Sequence, residues 1–233
     1  SNHSFVIADY SQIELRVLAH LSNDKNMISM LKDRDTDIHS ETAARIFNTD
    51  LDSVSKDMRR KAKEVNFGLI YGMESFGLSK SLDISKKEAT ELIDSYFNQF
   101  PKIKGYLDSI VKKAEKSTFT ETLYGRKRFI RELASSNFQL KAMGRRIAMN
   151  APIQGTASDI MKIAMIKIQD KIAKLNSTDI LLQIHDEIII QTPDNIATKT
   201  AKLVQKEMEN ATSLDVPLFV DIKQNKNLSN FNN

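Results

Sequence analysis

The placement of strand-like apolar runs near both ends of the chain, with helix signals between them, most constrains what this sequence can fold into. Residues 5–8 form one short apolar run, and residues 180–184 and 188–191 form two more that flank a turn. Capping boxes and apolar positions at helical spacing mark a series of helices in between. This order indicates an α+β fold, in which an antiparallel sheet carries a large helical insertion, rather than alternating βαβ units.

The composition excludes several kinds of site. The 233 residues include no cysteine, which excludes disulfides, thiolate zinc sites and cysteine nucleophiles. The net charge is only +4, but the cations concentrate at residues 59–63, 126–131 and 141–146, as expected of phosphate binding. Because no apolar run resembles a membrane span or a signal peptide, we expect a cytoplasmic protein without a membrane partner.

Two acidic residues end apolar strands that lie far apart in the sequence. Asp9 follows the run at 5–8, and Asp186 lies in the turn between the two later strands. A desolvated carboxylate is costly, so the pair suggests a shared purpose such as binding Mg²⁺ through oxygen ligands. For either residue alone, a solvated turn acid or a cap on a backbone amide is the simpler interpretation.

A basic and aromatic helix face is the second candidate site. Arg59, Lys63, Phe67 and Tyr71 are spaced four apart and therefore share one slowly drifting face of a predicted helix. Two cations followed by two aromatic rings can bind a triphosphate and stack on a base. The spacing alone is equally consistent with a solvated basic face whose aromatic residues lie at its buried edge.

A third candidate is the set Arg146, Asn150 and Gln154, which are also spaced by four, although Pro152 is expected to break the helix before the last of them. Their side chains can donate to the minor-groove acceptors that all correct base pairs share. The alternative is a helix C-terminus with favourable cations. The sequence contains no zinc-type histidine spacing, P-loop or G-x-G-x-x-G motif.

Three segments in sequence order resemble motifs A, B and C of the family A (polymerase I-like) DNA polymerases, and two shorter segments agree. The three motifs are DYSQIELR at 9–16, RRKAKEVNFGLIYG at 59–72 and QIHDE at 183–187, and the shorter segments are DIH at 37–39 and NAPIQGTA at 150–157. The resemblance covers nearly the whole chain. It implies a palm at 1–23 and 147–233, fingers at 24–146, and no thumb or exonuclease domain within this chain.

The resemblance also implies a role for each motif residue. Asp9, Asp186 and the Tyr10 carbonyl would hold two Mg²⁺ ions, for which Mn²⁺ could substitute, and Glu187 would be an accessory acid. Lys63 would also donate a proton to the leaving pyrophosphate. The residues that would contact the incoming dNTP are Tyr10, Gln12, Glu14, His39, Arg59, Lys63, Phe67 and Tyr71. Those that would contact the primer–template are Arg126, Arg128, Arg146, Asn150, Gln154 and His185.

The function implied by the resemblance is template-directed addition of dNTPs to a primer 3′-hydroxyl with release of pyrophosphate. We expect a monomer that acts on DNA in the bacterial nucleoid, or in an organelle if the source is eukaryotic. Without a thumb to grip the duplex, dNTP binding should persist while primer extension is weak. Two other functions remain open on the sequence, a metal-dependent nuclease and a non-catalytic nucleic-acid-binding module.

Overall fold

Strands from both ends of the chain build one antiparallel sheet in the computed structural model, which describes residues 2–227. The strands are β1 (His3–Tyr10), β2 (Phe119–Glu121), β3 (Lys127–Phe129), β4 (Asp179–Ile184), β5 (Glu187–Pro193) and β6 (Val220–Asn225). The sheet has the order β4-β5-β1-β6, while β2 and β3 form a separate hairpin. All pairs of neighbouring strands are antiparallel, which confirms the predicted α+β class.

Helices occupy most of the chain between the first and last strands of the sheet. They are α1 (Ile13–Ser22), α2 (Lys25–Met30), α3 (Ile38–Phe47), α4 (Lys56–Ile70), α5 (Ser75–Leu82), α6 (Lys86–Gln99), α7 (Pro101–Ser117), α8 (Phe138–Ile172) and α9 (Ala197–Glu209). Serine caps fix two of the starts, because Ser55 accepts from the Met58 N–H and Ser85 accepts from the Glu88 N–H. Within residues 2–227, no helix combines the length and apolarity needed to cross a bilayer.

The chain divides into two units, which we name for their contents. The sheet unit comprises Ser1–Ile13 and Ala157–Asn233, and the helical unit comprises Glu14–Thr156. A division by compactness is not a division by function, so the palm at 1–23 and 147–233 and the fingers at 24–146 remain predictions. Residue 1 and residues 228–233, which the predicted palm includes, lie outside the described residues.

The core of the sheet unit forms around β1, because this strand has a neighbour on each side. Val6 pairs with Ile190 of β5, Ala8 pairs with Ile188, and these four side chains are buried. Helix α9 contributes the buried Met208, whose carbonyl accepts a hydrogen bond from the buried Tyr10 hydroxyl at 2.7 Å. A strand buried on both faces explains why residues 5–8 read as a continuous apolar run rather than an alternating one.

Helix α8 continues through Pro152, so the predicted break is wrong. A proline inside a helix removes one N–H donor and crowds the carbonyl four residues earlier, at a cost of about 3 kcal/mol. The neighbouring Ala151 and Ile153 are buried, and burial of this kind offsets the local penalty. The helix therefore keeps its regular spacing through the segment where Arg146, Asn150 and Gln154 lie.

Two helical glycines in the helical unit meet opposite surroundings. A Cβ atom added to Gly144 of α8 would lie 2.9 Å from the Leu133 backbone nitrogen and 3.1 Å from the Glu132 carbonyl carbon. A Cβ atom added to Gly105 of α7 would meet nothing within 4 Å. Gly144 is therefore required by close packing, whereas Gly105 only adds conformational freedom to the unfolded chain.

We expect opposite results from the same substitution at these two positions. Gly144→Ala should lower the free energy of unfolding by about 1–3 kcal/mol, because backbone atoms must move. Gly105→Ala should raise it by about 0.5–1 kcal/mol through the lower entropy of the unfolded chain. Urea unfolding of the two variants and the parent measures both, and a stable Gly144→Ala variant would contradict the packing seen here.

Candidate functional site

The register of the sheet places Asp9 between two other acidic residues. Asp9 of β1 pairs with Glu187 of β5 on one side and with Asp221 of β6 on the other. Asp186 precedes Glu187 in the turn, and its carbonyl accepts a hydrogen bond from the Tyr10 N–H at 3.1 Å. The fold thus brings together Asp9, Tyr10, Asp186 and Glu187, as the motifs implied.

Asp221 is a member of this acidic cluster that the sequence reasoning missed. The residue lies in β6 directly opposite Asp9, between Val220 and Ile222. An acid inside the apolar run at residues 216–222 was the signal that could have identified it. The motifs did not include it, because strand pairing rather than closeness in sequence places it there.

The electrostatics of the cluster are unfavourable for Asp9 in its charged form. Burial, followed by the negative charges of Asp186, Glu187 and Asp221, raises the pKa of Asp9 to about 6. Lys223 opposes this rise only in part. Asp9 Oδ1 is buried and has no hydrogen-bond partner among the described residues. A cation bound here would reduce the repulsion between the carboxylates and give Asp9 Oδ1 a partner. Oxygen ligands of this kind suit a hard divalent ion.

The metal ligands implied by the motifs include a backbone carbonyl as well as side chains. Residues 2–227 contain no group of three or more His, Asp or Glu side chains that could hold a metal ion. The predicted set consists of two carboxylates, from Asp9 and Asp186, together with the Tyr10 backbone carbonyl. Because this set draws on the backbone, it remains a prediction that the side-chain geometry does not decide.

Two of the predicted site residues have a left-handed backbone. Gln12, just after β1, has a φ of 56°, and His185, in the turn between β4 and β5, has a φ of 54°. The His185 carbonyl also accepts a hydrogen bond from the Gln183 side chain. Such conformations are uncommon for residues other than glycine and cluster where side chains must be aimed for function.

In the helical unit, helix α4 has two distinct faces, as the spacing predicted. Ala62, Val65 and Leu69 are buried, whereas Arg59 and Lys63 are exposed. Phe67 follows on the exposed side and is half-buried, and Tyr71 lies one residue beyond the end of the helix. The four motif residues therefore form a continuous strip from cations to aromatic rings. We call this strip the α4 face.

Arg59 at the start of the α4 face is paired with Asp37, the N-cap of α3. Arg59 Nε lies 2.6 Å from Asp37 Oδ2, and Arg59 Nη2 lies 3.3 Å from Asp37 Oδ1. Burial alone would raise the pKa of Asp37, but the hydrogen bonds from Arg59 and Ser40 lower it to about 2. The guanidinium is thus held in a defined place on the surface, with its remaining N–H groups available to a further acceptor.

Two other predicted residues join the α4 face through side-chain contacts. The His39 ring is 4% exposed and lies 5.6 Å from the Phe67 ring, centroid to centroid. The Tyr71 hydroxyl donates to Glu14 Oε2 at 3.0 Å. The fold therefore assembles His39, Glu14 and the α4 face from three separate segments of the helical unit.

Two charged residues of α4, Lys61 and Glu64, lie off the α4 face. Lys61 Nζ is 2.8 Å from Glu88 Oε1 of α6 and 3.4 Å from Asp57 Oδ2. Glu64 accepts a hydrogen bond from Ser81 Oγ. Both side chains connect α4 to neighbouring helices, which explains how the chain accommodates charged residues there.

The predicted DNA contacts of the helical unit lie along α8 and the β2–β3 hairpin. Because α8 is continuous, Arg146, Asn150 and Gln154 share one helix face. Arg126 Nη2 donates to the Gly155 carbonyl at 3.0 Å, and Arg126, Arg128 and Gln154 line the same small cleft of about 50 Å³. His185, the remaining predicted contact, belongs to the sheet unit.

The end of the α4 face lies close to the donor residues of α8. Gly72 has a φ of +68°, and a Cβ atom placed there would lie 3.0 Å from Arg146 Cγ and 2.9 Å from Met149 Cε. Only a residue without a side chain allows this approach. The α4 face, at Tyr71, is therefore adjacent in the chain to a residue packed against Arg146.

Comparison with known proteins gives one consistent result. The sequence model of the family described as DNA polymerase family A matches residues 1–230. The chain is 48% identical over 226 residues to DNA polymerase I of Caldicellulosiruptor bescii, covering 97% of this chain and 26% of that protein. It is 47% identical over 215 residues to DNA polymerase I of Bacillus subtilis, covering 92% of this chain and 24% of that protein.

A solved structure agrees with these relatives. The POL domain of Pol1 from M. smegmatis, in complex with DNA primer-template and dNTP, superposes with a TM-score of 0.91 at 40% sequence identity. The match covers 96% of this chain and 39% of that chain. The chain spans about a quarter of the length of the curated relatives it matches.

The acidic cluster predicts how stability depends on pH. The folded chain keeps the Asp9 proton up to about pH 6, whereas an unperturbed carboxyl loses it near its ordinary pKa of 3.8. The folded state binds more protons between these values, so stability falls as pH rises through this window and stays lower above it. Asp9→Asn should therefore be more stable than the parent by about 2 kcal/mol at neutral pH in EDTA.

Urea unfolding below and above this pH window measures the effect. Asp170→Asn, an exposed substitution in the same unit, controls for the change in net charge. The stability difference between Asp9→Asn and the parent should nearly vanish below the ordinary pKa of aspartate. A parent more stable than Asp9→Asn at neutral pH in EDTA would show that the cluster does not strain Asp9.

Proposed function

Because this chain belongs to DNA polymerase family A, we propose that it carries the palm and fingers of a template-directed DNA polymerase. The reaction is the addition of a dNTP to a primer 3′-hydroxyl with release of pyrophosphate. The observation that carries the proposal is the α4 face, which presents two exposed cations followed by two aromatic side chains. The proposal extends to the activity, ligands and partners of the whole protein, of which this chain is similar to about a quarter.

The α4 face would bind the incoming nucleotide. Arg59 and Lys63 would hold the triphosphate, since charged donors on a fixed helix match phosphate oxygens. Lys63 would also donate a proton to the pyrophosphate as it leaves. Phe67 would pack on the sugar and base, and Tyr71 would stack near the templating base. His39, adjacent to Phe67, would contribute a further phosphate contact.

Glu14 would discriminate between sugars, because a carboxylate at the nucleotide's 2′ position excludes a hydroxyl there. Its hydrogen bond with Tyr71 supports this assignment by fixing the carboxylate at the aromatic end of the α4 face. Tyr10, at the end of β1, and Gln12, in the segment that follows, would also contact the nucleotide.

Polymerases of this family use divalent metal ions. We assign two Mg²⁺ ions to Asp9, Asp186 and the Tyr10 carbonyl, with Glu187 as an accessory acid and Mn²⁺ as a substitute. Bound there, the ions would neutralise charge on the attacking and leaving oxygens of the phosphoryl transfer. The unpartnered Asp9 Oδ1 and its raised pKa support the fit, because a cation would reverse both.

DNA would lie along the donors of α8 and the β2–β3 hairpin. Arg146, Asn150 and Gln154 share a helix face, so their donors can follow successive minor-groove acceptors without reading sequence. Arg126, Arg128 and His185 would complete the primer–template contacts. The M. smegmatis relative binds DNA primer-template and dNTP, and we propose the same ligands here, for a monomer acting in the nucleoid of a bacterial cytoplasm.

Nucleotide binding by the α4 face is tested with two adjacent arginines. Arg59→Ala should weaken dNTP binding about 10–100-fold, because it removes a charge-assisted phosphate contact. Arg60→Ala is the matched control, because Arg60 does not belong to the α4 face. Its Nη2 atom lies 2.7 Å from Asp57 Oδ1. Calorimetric titration with dATP and Mg²⁺ measures both variants. Equal losses, or a larger loss for Arg60→Ala, would contradict the assignment.

Primer extension separates the proposed reaction from the two other functions open on the sequence. A labelled primer–template incubated with Mg²⁺ and dNTPs should be lengthened, weakly if this chain alone makes few phosphate contacts. Asp186→Asn should reduce extension by about 10²–10³-fold, and Asp179→Asn at the other end of β4 should not. Shortening of the primer would indicate a nuclease. DNA binding without extension, unchanged in Asp186→Asn, would indicate a binding module.

A further inference from the structure

Besides Phe67, the His39 ring contacts Asn66, a residue to which the motifs assign no role. Asn66 lies on the buried side of α4, and its Nδ2 is 3.2 Å from His39 Nδ1. Asn66 is fully buried, and so is Thr42, its other polar neighbour. The contact between Asn66 and His39 uses Nδ1 and does not involve the second ring nitrogen, Nε2.

The shortest contacts in this network assign one direction to its hydrogen bonds. The Ile38 carbonyl can only accept, and Thr42 Oγ1 lies 2.7 Å from it, so the single hydroxyl proton points there. Thr42 Oγ1 must then accept its remaining bond, which the Asn66 amide nitrogen supplies at 3.1 Å. The Asn66 carbonyl oxygen is farther from this hydroxyl, at 3.4 Å. The Asn66 NH₂ group is therefore the atom group that faces His39.

An NH₂ group facing Nδ1 requires a lone pair on that nitrogen. If the ring is neutral, its proton must then be on Nε2. The surroundings favour the neutral ring, because burial and then the positive charge of Arg59 lower the pKa of His39 to about 4. Asp37 opposes this shift and Lys63 adds to it. A doubly protonated ring would also set an N–H against the Asn66 NH₂ group.

The side chains that orient the His39 ring are closed to solvent. Asn66 and Thr42 are 0% exposed and His39 is 4% exposed, so water cannot replace a lost partner. An unmet polar group in such a place is costly, and each member therefore fixes the orientation of the next. The hydrogen bonds run from the Ile38 carbonyl of α3 to Thr42, and then to the Asn66 side chain of α4. From Asn66 they return to α3 at His39.

We propose that Asn66 is a positioning residue that holds His39 as the neutral Nε2–H tautomer, so that the ring presents one hydrogen-bond donor to the nucleotide triphosphate. The opposite tautomer would present a lone pair, which repels phosphate oxygens. The part concerning the triphosphate rests on the proposed nucleotide-binding function, whereas the tautomer itself does not. A hydrogen bond to one ring nitrogen of a histidine commonly determines whether the other nitrogen carries the proton.

Nitrogen-15 spectra of the histidine ring test the tautomer without any nucleotide. The chain has four histidines, and the spectrum of His39→Gln identifies the His39 signals. At neutral pH the parent should show a protonated Nε2 and an unprotonated Nδ1. Asn66→Asp replaces the facing donor with an acceptor, so Nδ1 should become protonated, while Asn98→Asp on the exposed side of α6 should change nothing. A parent ring protonated on Nδ1 at neutral pH would overturn the proposal.

Two substitutions at Thr42 test the effect on nucleotide binding. Thr42→Val removes the hydroxyl that orients the Asn66 amide but keeps the side-chain shape, and dATP binding should weaken about fivefold to tenfold. Thr42→Ser keeps the hydroxyl and should bind as the parent does. In a His39→Ala background, Thr42→Val should cause no further loss, because the two changes act through one ring.

The outcomes separate this inference from the function on which it partly rests. If the parent does not bind dATP at all, the proposed nucleotide site is wrong, and the ring spectra still decide the tautomer. If the parent binds dATP and Thr42→Val binds equally well with an altered tautomer, the positioning role of Asn66 is wrong. Equal weakening by Thr42→Val with and without His39 would assign the effect to packing and would likewise reject the role.

Discussion

The register of β1 between β5 and β6 is the constraint on which the acidic site depends. A slip of one residue would turn every side chain of β1 to the opposite face and remove Asp9 from Glu187 and Asp221. Such a slip would also separate the buried Val6 and Ala8 from Ile190 and Ile188, the buried residues opposite them in β5. The same burial that secures the register also raises the pKa of Asp9. Burial of β1 therefore both stabilises the strand and disfavours the charged form of Asp9.

The helical unit uses burial for a different purpose. One side of α4 is buried and carries Asn66, and the other side exposes Arg59 and Lys63. Two of the exposed groups that we propose contact a nucleotide are held by a neighbour in the same unit, Arg59 by Asp37 and Tyr71 by Glu14. These partners reduce the number of orientations that a ligand must fix on binding, which favours affinity for a ligand of matching shape.

Much of this arrangement could be predicted from the sequence, because local patterns carry it. The α+β class follows from the order of elements, and the two faces of α4 follow from helical spacing. Serine caps such as those at Ser55 and Ser85 are also local features, because serine is a preferred residue at the start of a helix. The break at Pro152 was predicted wrongly, because the local penalty of a proline is smaller than the stabilisation that a long, packed helix provides. The roles of individual site residues remain predictions from motif resemblance.

The sequence by itself determined which side chains are candidates for the chemistry, since the acids, cations and aromatic rings stand in recognisable local patterns. Only the tertiary structure decided that Asp221 lies opposite Asp9, because that pairing joins strands more than two hundred residues apart in the chain. It also decided that His39 is buried and hydrogen-bonded to Asn66, since two helices had to pack before either group could exclude water from the other. Local pattern fixes what a residue can do. Packing fixes its charge, its proton and its neighbours, because these depend on the removal of water by distant parts of the chain.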